Sequence, residues 1–319
     1  MMHVFGLEQI EQVLPDLDLF PLIKDGFKAY SSGRTVVPPV GELIFDDPPG
    51  DVHIKYGYIK GDDYFVIKIA SGFYENAELG SASSQGGMML LFDQHTGREK
   101  GVLVDECYLT NVRTAVAGAI CAEVLAPGQV KSIGVLGTGV QARMQVSYLS
   151  TVTKCRQVKV WGRNEQKMFK YQDEMRKEGW QVETCADPGY VAASCDLIIT
   201  ATPTKTPLLR DDDVRKGTHI TAMGSDSPGK QELETGILEK ADLIVADSIL
   251  QCRERGEIVH GLSEGIINEK DIIELGDILD EKALGRTSDD QITIADLTGV
   301  AVQDIQIAKA VFEACNKGA

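Results

Sequence analysis

A basic surplus is the first thing this sequence lacks: its 319 residues carry 32 Lys and Arg against 48 Asp and Glu, a formal net charge of -16. Nucleic acid and anionic membranes are bound through basic patches, so neither is expected as a partner, and an anionic small molecule would need a locally basic pocket. Long apolar runs are missing too. The N-terminus shows no basic segment followed by an apolar one, and the small-residue run 115–126 is too short to span a bilayer, which argues against secretion and insertion and for the cytoplasm. The cysteines at 107, 121, 155, 185, 195, 252 and 315 are odd in number and scattered, without a close pair at metal-ligand spacing, and read as reduced thiols that mostly pack. His3, His53, His95, His219 and His260 form no HExxH-type pair, so no metal site is expected. There is no internal repeat or low-complexity linker, and the length implies roughly two domains.

What the sequence does contain is organised around residues 132–149, Ser132-Ile-Gly-Val-Leu-Gly137-Thr-Gly139-Val-Gln-Ala142-Arg143-Met-Gln-Val-Ser-Tyr-Leu149. A short apolar run ends in glycines, after which Val140, Met144, Ser147 and Tyr148 recur at helical spacing, predicting strand, tight turn and helix. That is the context of a dinucleotide fingerprint. Gly137 permits the sharp turn, Gly139 removes the Cβ that would block a pyrophosphate, and Ala142 stands where a third glycine often allows close helix packing. Phosphates would sit on the N–H groups at the helix start. A glycine pair after a strand also occurs in ordinary α/β turns, so the flanking sequence has to decide.

In chain order, residues 7–32 carry two helical patterns broken at Pro15, and residues 35–69 switch to strand-like alternation with turns at 46–50 and 61–63. Residues 88–92 and 102–104 continue the sheet, so the opening third reads as α+β. A helix rich in small residues follows over 107–125. Beyond 131, strand candidates at 158–161, 197–200, 219–223, 243–246 and 292–295 alternate with helices, which implies a parallel sheet covered on both faces. Residues 300–314 form an amphipathic helix able to return to the first domain. The fold class is therefore α/β, with a Rossmann-type parallel sheet domain inserted in an α+β domain.

Lys68 shares a strand face with Val66 and Ala70. It either snorkels at a sheet edge or holds its ammonium over a bound carboxylate. Arg113 is read in the first turn of a helix capped by Thr110 or Asn111, where the dipole disfavours a cation unless an anion lies between them. The alternative is an exposed charge. Arg34 precedes a strand and by itself reads as a surface charge at a helix end. Asp226, in Gly224-Ser-Asp226-Ser-Pro-Gly229-Lys230, follows a strand of the parallel sheet, at the carboxyl ends where ligands bind, though aspartate is also a common turn former. Thr202 lies at another strand end and is expected to line the cofactor crevice. About 20 positions after the fingerprint, where an NAD-selective site carries an acid for the ribose 2′-hydroxyl, the chain reads Val160-Trp-Gly162-Arg163-Asn164. Arg163 either pairs with a 2′-phosphate, so that NADPH is accepted at least as well as NADH, or is an exposed strand-end arginine.

The combination resembles the ornithine cyclodeaminase and mu-crystallin family from about Arg34 to the last helix. The matches are Arg34-Thr-Val-Val-Pro, Lys68 before Ser-Gly, Leu109-Thr-Asn-Val-Arg113-Thr-Ala, Gly137-Thr-Gly-Val-Gln-Ala142, Gly224-Ser-Asp-Ser-Pro-Gly-Lys-Gln-Glu-Leu233, and Asp296-Leu-Thr-Gly-Val-Ala-Val-Gln-Asp304. The resemblance implies a homodimer, with residues 1–112 and 299–319 as substrate-binding and dimerisation domain and 113–298 as dinucleotide-binding domain. It implies that Lys68 and Arg113 hold a substrate carboxylate, that Arg113 also approaches cofactor phosphate, and that Asp226 handles protons near the reacting nitrogen. Arg34 corresponds to the carboxylate-binding arginine of ketimine-reducing members. Lys68 and Asp226 are the expected catalytic pair. Gly137, Thr138, Gly139, Val140, Gln141 and Ala142, with Arg113, Arg163, Thr202 and Gly224, are the expected contacts to NADPH or NADH.

Members of that family are cyclodeaminases, alanine dehydrogenases and reductases of cyclic imino acids, all moving a hydride at an α-carbon that bears nitrogen. Cyclodeaminases acting on ornithine hold its distal ammonium with an acid. The comparable stretch here, Asp51-Val-His53-Ile-Lys55-Tyr-Gly57, offers no obvious carboxylate, with His53 near the relevant place. The expectation is a reductase of 1-pyrroline-2-carboxylate giving proline, with ornithine cyclodeaminase next, alanine dehydrogenase as another alternative, and a non-enzymatic crystallin-like binding role behind them.

Overall fold

The computed structural model describes residues 2–73 and 84–318. The chain divides into two compact units, Met1–Arg113 with Val300–Ala319, and Thr114–Gly299. The first is therefore assembled from both ends of the chain.

The strands of the first unit are β1 (His3–Gly6), β2 (Thr35–Val36), β3 (Gly41–Asp46), β4 (Pro49–Ile59), β5 (Tyr64–Gly72), β6 (Gln85–Asp93) and β7 (Glu99–Val104). They lie in the order β1-β7-β6-β5-β4-β2, with β3 attached to β4. β-Branched and aromatic residues, as in Tyr64-Phe-Val-Ile of β5, favour the pleated conformation. The strands from β2 to β7 pair antiparallel, whereas β1, too short to announce itself by alternation, pairs parallel with β7. Alternation buries Val66, Lys68, Met89, Leu91 and Leu103 on one face. The C-terminal helix Ala301–Gly318 covers that face, with Phe312 edge-on to Phe5 and Tyr64 and Lys309 paired with Asp62. Helix Leu19–Ser31 packs against it in turn, close enough that a Cβ on Gly26 would meet Val302 O at 3.2 Å.

The second unit holds an all-parallel sheet of β8 (Ile133–Leu136), β9 (Gln157–Trp161), β10 (Gln181–Thr184), β11 (Leu197–Thr200), β12 (His219–Ala222), β13 (Leu243–Ala246), β14 (Ile272–Glu274) and β15 (Thr293–Asp296). Their order is β10-β9-β8-β11-β12-β15-β13-β14. Every residue of β8, β11, β12 and β15 is buried, as a sheet covered on both faces requires. The chain moves outward from β8 through β9 to β10 and returns on the other side at β11. That reversal makes a switch point at the carboxyl ends of β8 and β11, the general position of ligands in such sheets. β10 and β14 were not legible in the sequence: each buries a single residue, Val182 or Ile272, too little for a periodic signal.

All seven cysteines are free thiols and buried. Among the described residues no group of His, Cys, Asp and Glu is arranged to hold a metal ion, and no helix is long and apolar enough to cross a membrane.

Candidate active site

In the first unit, burial of charge marks the candidate site. Lys68 is 2% exposed in β5, an interior strand, so the sheet-edge reading fails: there is no water at hand for a snorkelling ammonium. Burial pushes its pKa down, and Asp304 is the strongest charge opposing that, with Asp105 acting the same way and Arg113 the other. Directly across the strand pair stands Lys55, also buried, and on the other side Met89. Strand alternation alone would have paired Lys55 with Lys68 had the register been known.

Arg113 departs from its expected setting. The helix begins at Tyr108 rather than at Thr110 or Asn111, and the Leu109 N–H donates to Asp105 Oδ2 at 2.9 Å. Arg113 therefore lies beyond the first turn, and the helix dipole does not explain it. Instead its Nε donates to Asp304 Oδ1 and its Nη1 to Gln303 Oε1, each at 2.9 Å, with Arg113 and both partners buried. Two of the five guanidinium hydrogens are so used. The other Asp304 oxygen, Oδ2, is buried with no hydrogen-bond partner among the described residues. The turn before this helix is strained, since Glu106 and Cys107 have φ of 51° and 68°. Non-glycine residues in that region are held there only by the surrounding structure. Cys107 donates to Gly86 O at 2.9 Å, and burial pushes its thiol up to about 11, so it stays protonated.

Arg34 is exposed, and its Nε donates to Ser32 Oγ at 3.0 Å. Among the described residues nothing ties its side chain to Lys68 or Arg113. The stretch around His53 needs correction, because it does carry carboxylates. His53 Nδ1 lies 3.4 Å from Glu42 Oε1 and Nε2 lies 3.7 Å from Asp51 Oδ1. Glu42 is across the strand pair from His53, and Asp51 is two residues away on the same face. Glu42 was invisible to the sequence reading because it comes from a neighbouring strand.

In the second unit the fingerprint takes the expected form. Gly137 has φ +124°, and a Cβ there would meet Ala201 O at 2.6 Å, so only glycine fits. A Cβ on Gly139 would meet nothing within 4 Å, leaving the open space a pyrophosphate needs. Helix Val140–Leu149 starts there without a side-chain hydrogen bond at its cap, with Thr138, Val140 and Gln141 around the helix start where phosphates bind in such turns. Ala142 is fully buried, and its carbonyl accepts from Tyr171 Oη at 3.1 Å. Arg143, given no role in the sequence reading, braces the turn through the carbonyls of Thr138 and Gly139 and pairs with Glu174 at 2.6 Å. These residues fit a dinucleotide. Gly162 lies against the same turn, where a Cβ would meet Thr138 Cγ2 at 2.7 Å, and Arg163 beside it is exposed. Asn164 caps the next helix by accepting from Lys167 N at 2.9 Å.

Asp226 follows β12 and pairs through Oδ1 with Lys230 Nζ at 2.6 Å, its side chain half exposed. Thr202 and Gly224 do not stand alone: both donate to Glu232, a buried residue whose only sequence signal was its place in the Gly224–Leu233 motif.

Known proteins resemble this chain over nearly its whole length. The chain is 37% identical over 316 residues to an uncharacterized cyclodeaminase of Sinorhizobium fredii, covering 98% of this chain and 95% of that one. An archaeal alanine dehydrogenase dimer with bound NAD superposes with a TM-score of 0.90 at 30% identity, covering 99% of this chain and 97% of that one. The Δ1-pyrroline-2-carboxylate reductase of Thermococcus litoralis, in complex with NADH and L-proline, gives 0.93 at 25% identity, covering 99% and 98%. Residues 3–319 match the model of one family throughout, and the chain accordingly belongs to the ornithine cyclodeaminase/mu-crystallin family.

Proposed function

We propose that this protein is a cytoplasmic, homodimeric NAD(P)H-dependent oxidoreductase that reduces 1-pyrroline-2-carboxylate to L-proline. Bound nicotinamide supplies a hydride to C2 of the imine. The protein's own part is to hold the substrate and to manage one proton. Lys68 and Arg113 take the carboxylate, with Arg34 as a further cation for it, and charge-assisted contacts of this kind fix the α-carbon for attack. Asp226 relays the proton that keeps the ring nitrogen an iminium. As hydride adds to C2, the C=N π pair becomes the lone pair of the amine, so the product keeps the proton already on nitrogen.

The observation that carries the choice of substrate is the cross-strand pair of buried lysines, Lys55 and Lys68. A substrate with a distal ammonium would bring a third cation to that face, whereas a five-membered ring brings none. Glu42 and Asp51 beside His53 favour the second reading, ornithine cyclodeamination, because they would receive such an ammonium. Arg163, exposed beside the fingerprint turn, supports acceptance of NADPH at least as well as NADH.

The test supplies 1-pyrroline-2-carboxylate with NADPH or NADH, ornithine with NAD, and pyruvate plus ammonia with NADH. Reductase activity consumes one reduced cofactor per imine, with NADPH no worse than NADH. Cyclodeamination recycles its cofactor, so ammonia release from ornithine without imine-dependent cofactor oxidation would establish the second reading instead. No turnover in any arm would leave the crystallin-like binding role.

A further inference from the structure

We infer that Glu232 is a positioning residue for the nicotinamide cofactor: its carboxylate clamps together the two strand-end loops that carry Thr202 and Gly224. Oε1 accepts from Thr202 N and Thr202 Oγ1, both at 2.7 Å, and Oε2 accepts from Thr200 Oγ1 at 2.7 Å and Gly224 N at 2.8 Å. All the lone-pair sites of the carboxylate are thus engaged. The loops approach so closely that a Cβ on Gly224 would lie 2.5 Å from Thr202 N and 2.6 Å from Glu232 Cδ. These loops leave the carboxyl ends of β11 and β12, where a doubly wound sheet places its ligand. The inference rests on the proposed reading that the nicotinamide cofactor binds there.

Glu232 is held in its turn by a second carboxylate. Glu257 accepts from the backbone N–H groups of Glu232 and Leu233 at 2.9 and 3.0 Å and from Ser225 Oγ, and Asp296 accepts from Glu257 N at 2.7 Å. The charged groups about the clamp are thus Glu257 behind it, Asp296 beyond, and on the loop the Asp226–Lys230 pair. Arg255 and His260 hold that loop through Asp226 O at 3.3 Å and Lys230 O at 2.9 Å. Burial and the Glu257 carboxylate push Glu232 up to about 7, against the pull of the Thr200 and Thr202 donors. A neutral Glu232 cannot accept all the bonds of the ionised one: its proton must be donated, and only a threonine hydroxyl can turn to receive it. The clamp is consequently whole above neutral pH and loosened below it.

The experiment is fluorescence titration of the full-length protein with NADH, and with NADPH, from about pH 6 to about pH 8, which bracket that ionisation. Wild type should bind more tightly as pH rises. Glu232→Gln should bind about tenfold more weakly at the upper end and lose the pH dependence. Thr200→Val keeps the carboxylate but removes one donor, so it should weaken binding less and keep a pH dependence; it also decides the matter if Glu232→Gln does not fold. Unchanged affinity in these variants, or a pH slope that survives Glu232→Gln, overturns the clamp while leaving the proposed cofactor standing. A wild type that binds neither nucleotide overturns the cofactor reading and the clamp with it.

Discussion

At the residue scale, the decisive feature is that Arg113, assigned to the substrate carboxylate, is held by partners before any substrate arrives. Arg113 is buried, and burying a guanidinium is tolerable only because Asp304 neutralises it and Gln303 takes a second hydrogen. A lysine at 113 keeps the charge but cannot span both acceptors, so one buried oxygen loses its donor. Arg113→Lys should lower stability by about 1–3 kcal/mol and raise the KM for the imino acid about tenfold or more. Urea melts and steady-state kinetics measure the two effects; unaltered values of both would remove Arg113 from the carboxylate site.

At the element scale, β12 carries an uncommon burden for a central strand. His219 is fully buried between Thr293 Oγ1 at 2.9 Å and Thr221 Oγ1 at 3.0 Å. Burial, then the charge of Arg286, pushes it down to about 3. The unfolded chain takes up a proton near the ordinary histidine value of about 6.5, while the folded strand refuses it until about pH 3. In that window the unfolded state binds more protons, so stability falls as pH drops, by up to about 1.4 kcal/mol per pH unit from this group. Glu232, Glu257 and Asp296 act with the opposite sign, because their raised values favour the protonated folded form. The difference between wild type and His219→Gln isolates the histidine. Urea midpoints at several pH values should converge between the two proteins as pH falls; parallel curves would mean that His219 is not the acid-sensitive group.

At the scale of the whole molecule, the C-terminal helix covers one side of the seven-stranded sheet among the described residues. On the other face Ile54, Tyr56, Phe65, Ile67, Ile69, Met88, Leu90 and Phe92 are all left incompletely buried, Tyr56 and Met88 at 37% exposure, and the adjoining β3 exposes Leu43, Ile44 and Phe45. A contiguous apolar surface of this kind marks an association face. Homodimerisation through it is the proposed assembly. Ile67 lies near its centre, opposite Tyr56 on one side and Leu90 on the other. Ile67→Lys should yield a folded monomer by light scattering after size exclusion, with an unchanged circular dichroism spectrum. A dimer that persists would place the interface elsewhere.

What the sequence determined by itself was local. The strand–turn–helix at 132–149, the alternating strands of the first third and the later strand–helix succession were legible because periodicity and glycine geometry are properties of neighbouring residues. Folding decided which charges meet. The partner Asp304 of Arg113 is 191 residues away along the chain, the Thr200 and Thr202 donors to Glu232 lie 32 and 30 residues from it, and Lys55 reaches Lys68 only through strand register. Whether a lysine sits at a sheet edge or in its middle, and whether an arginine faces a helix dipole or a carboxylate, depends on distances through space. Coulomb and desolvation energies follow those distances and the burial that packing imposes, to which spacing along the chain is blind.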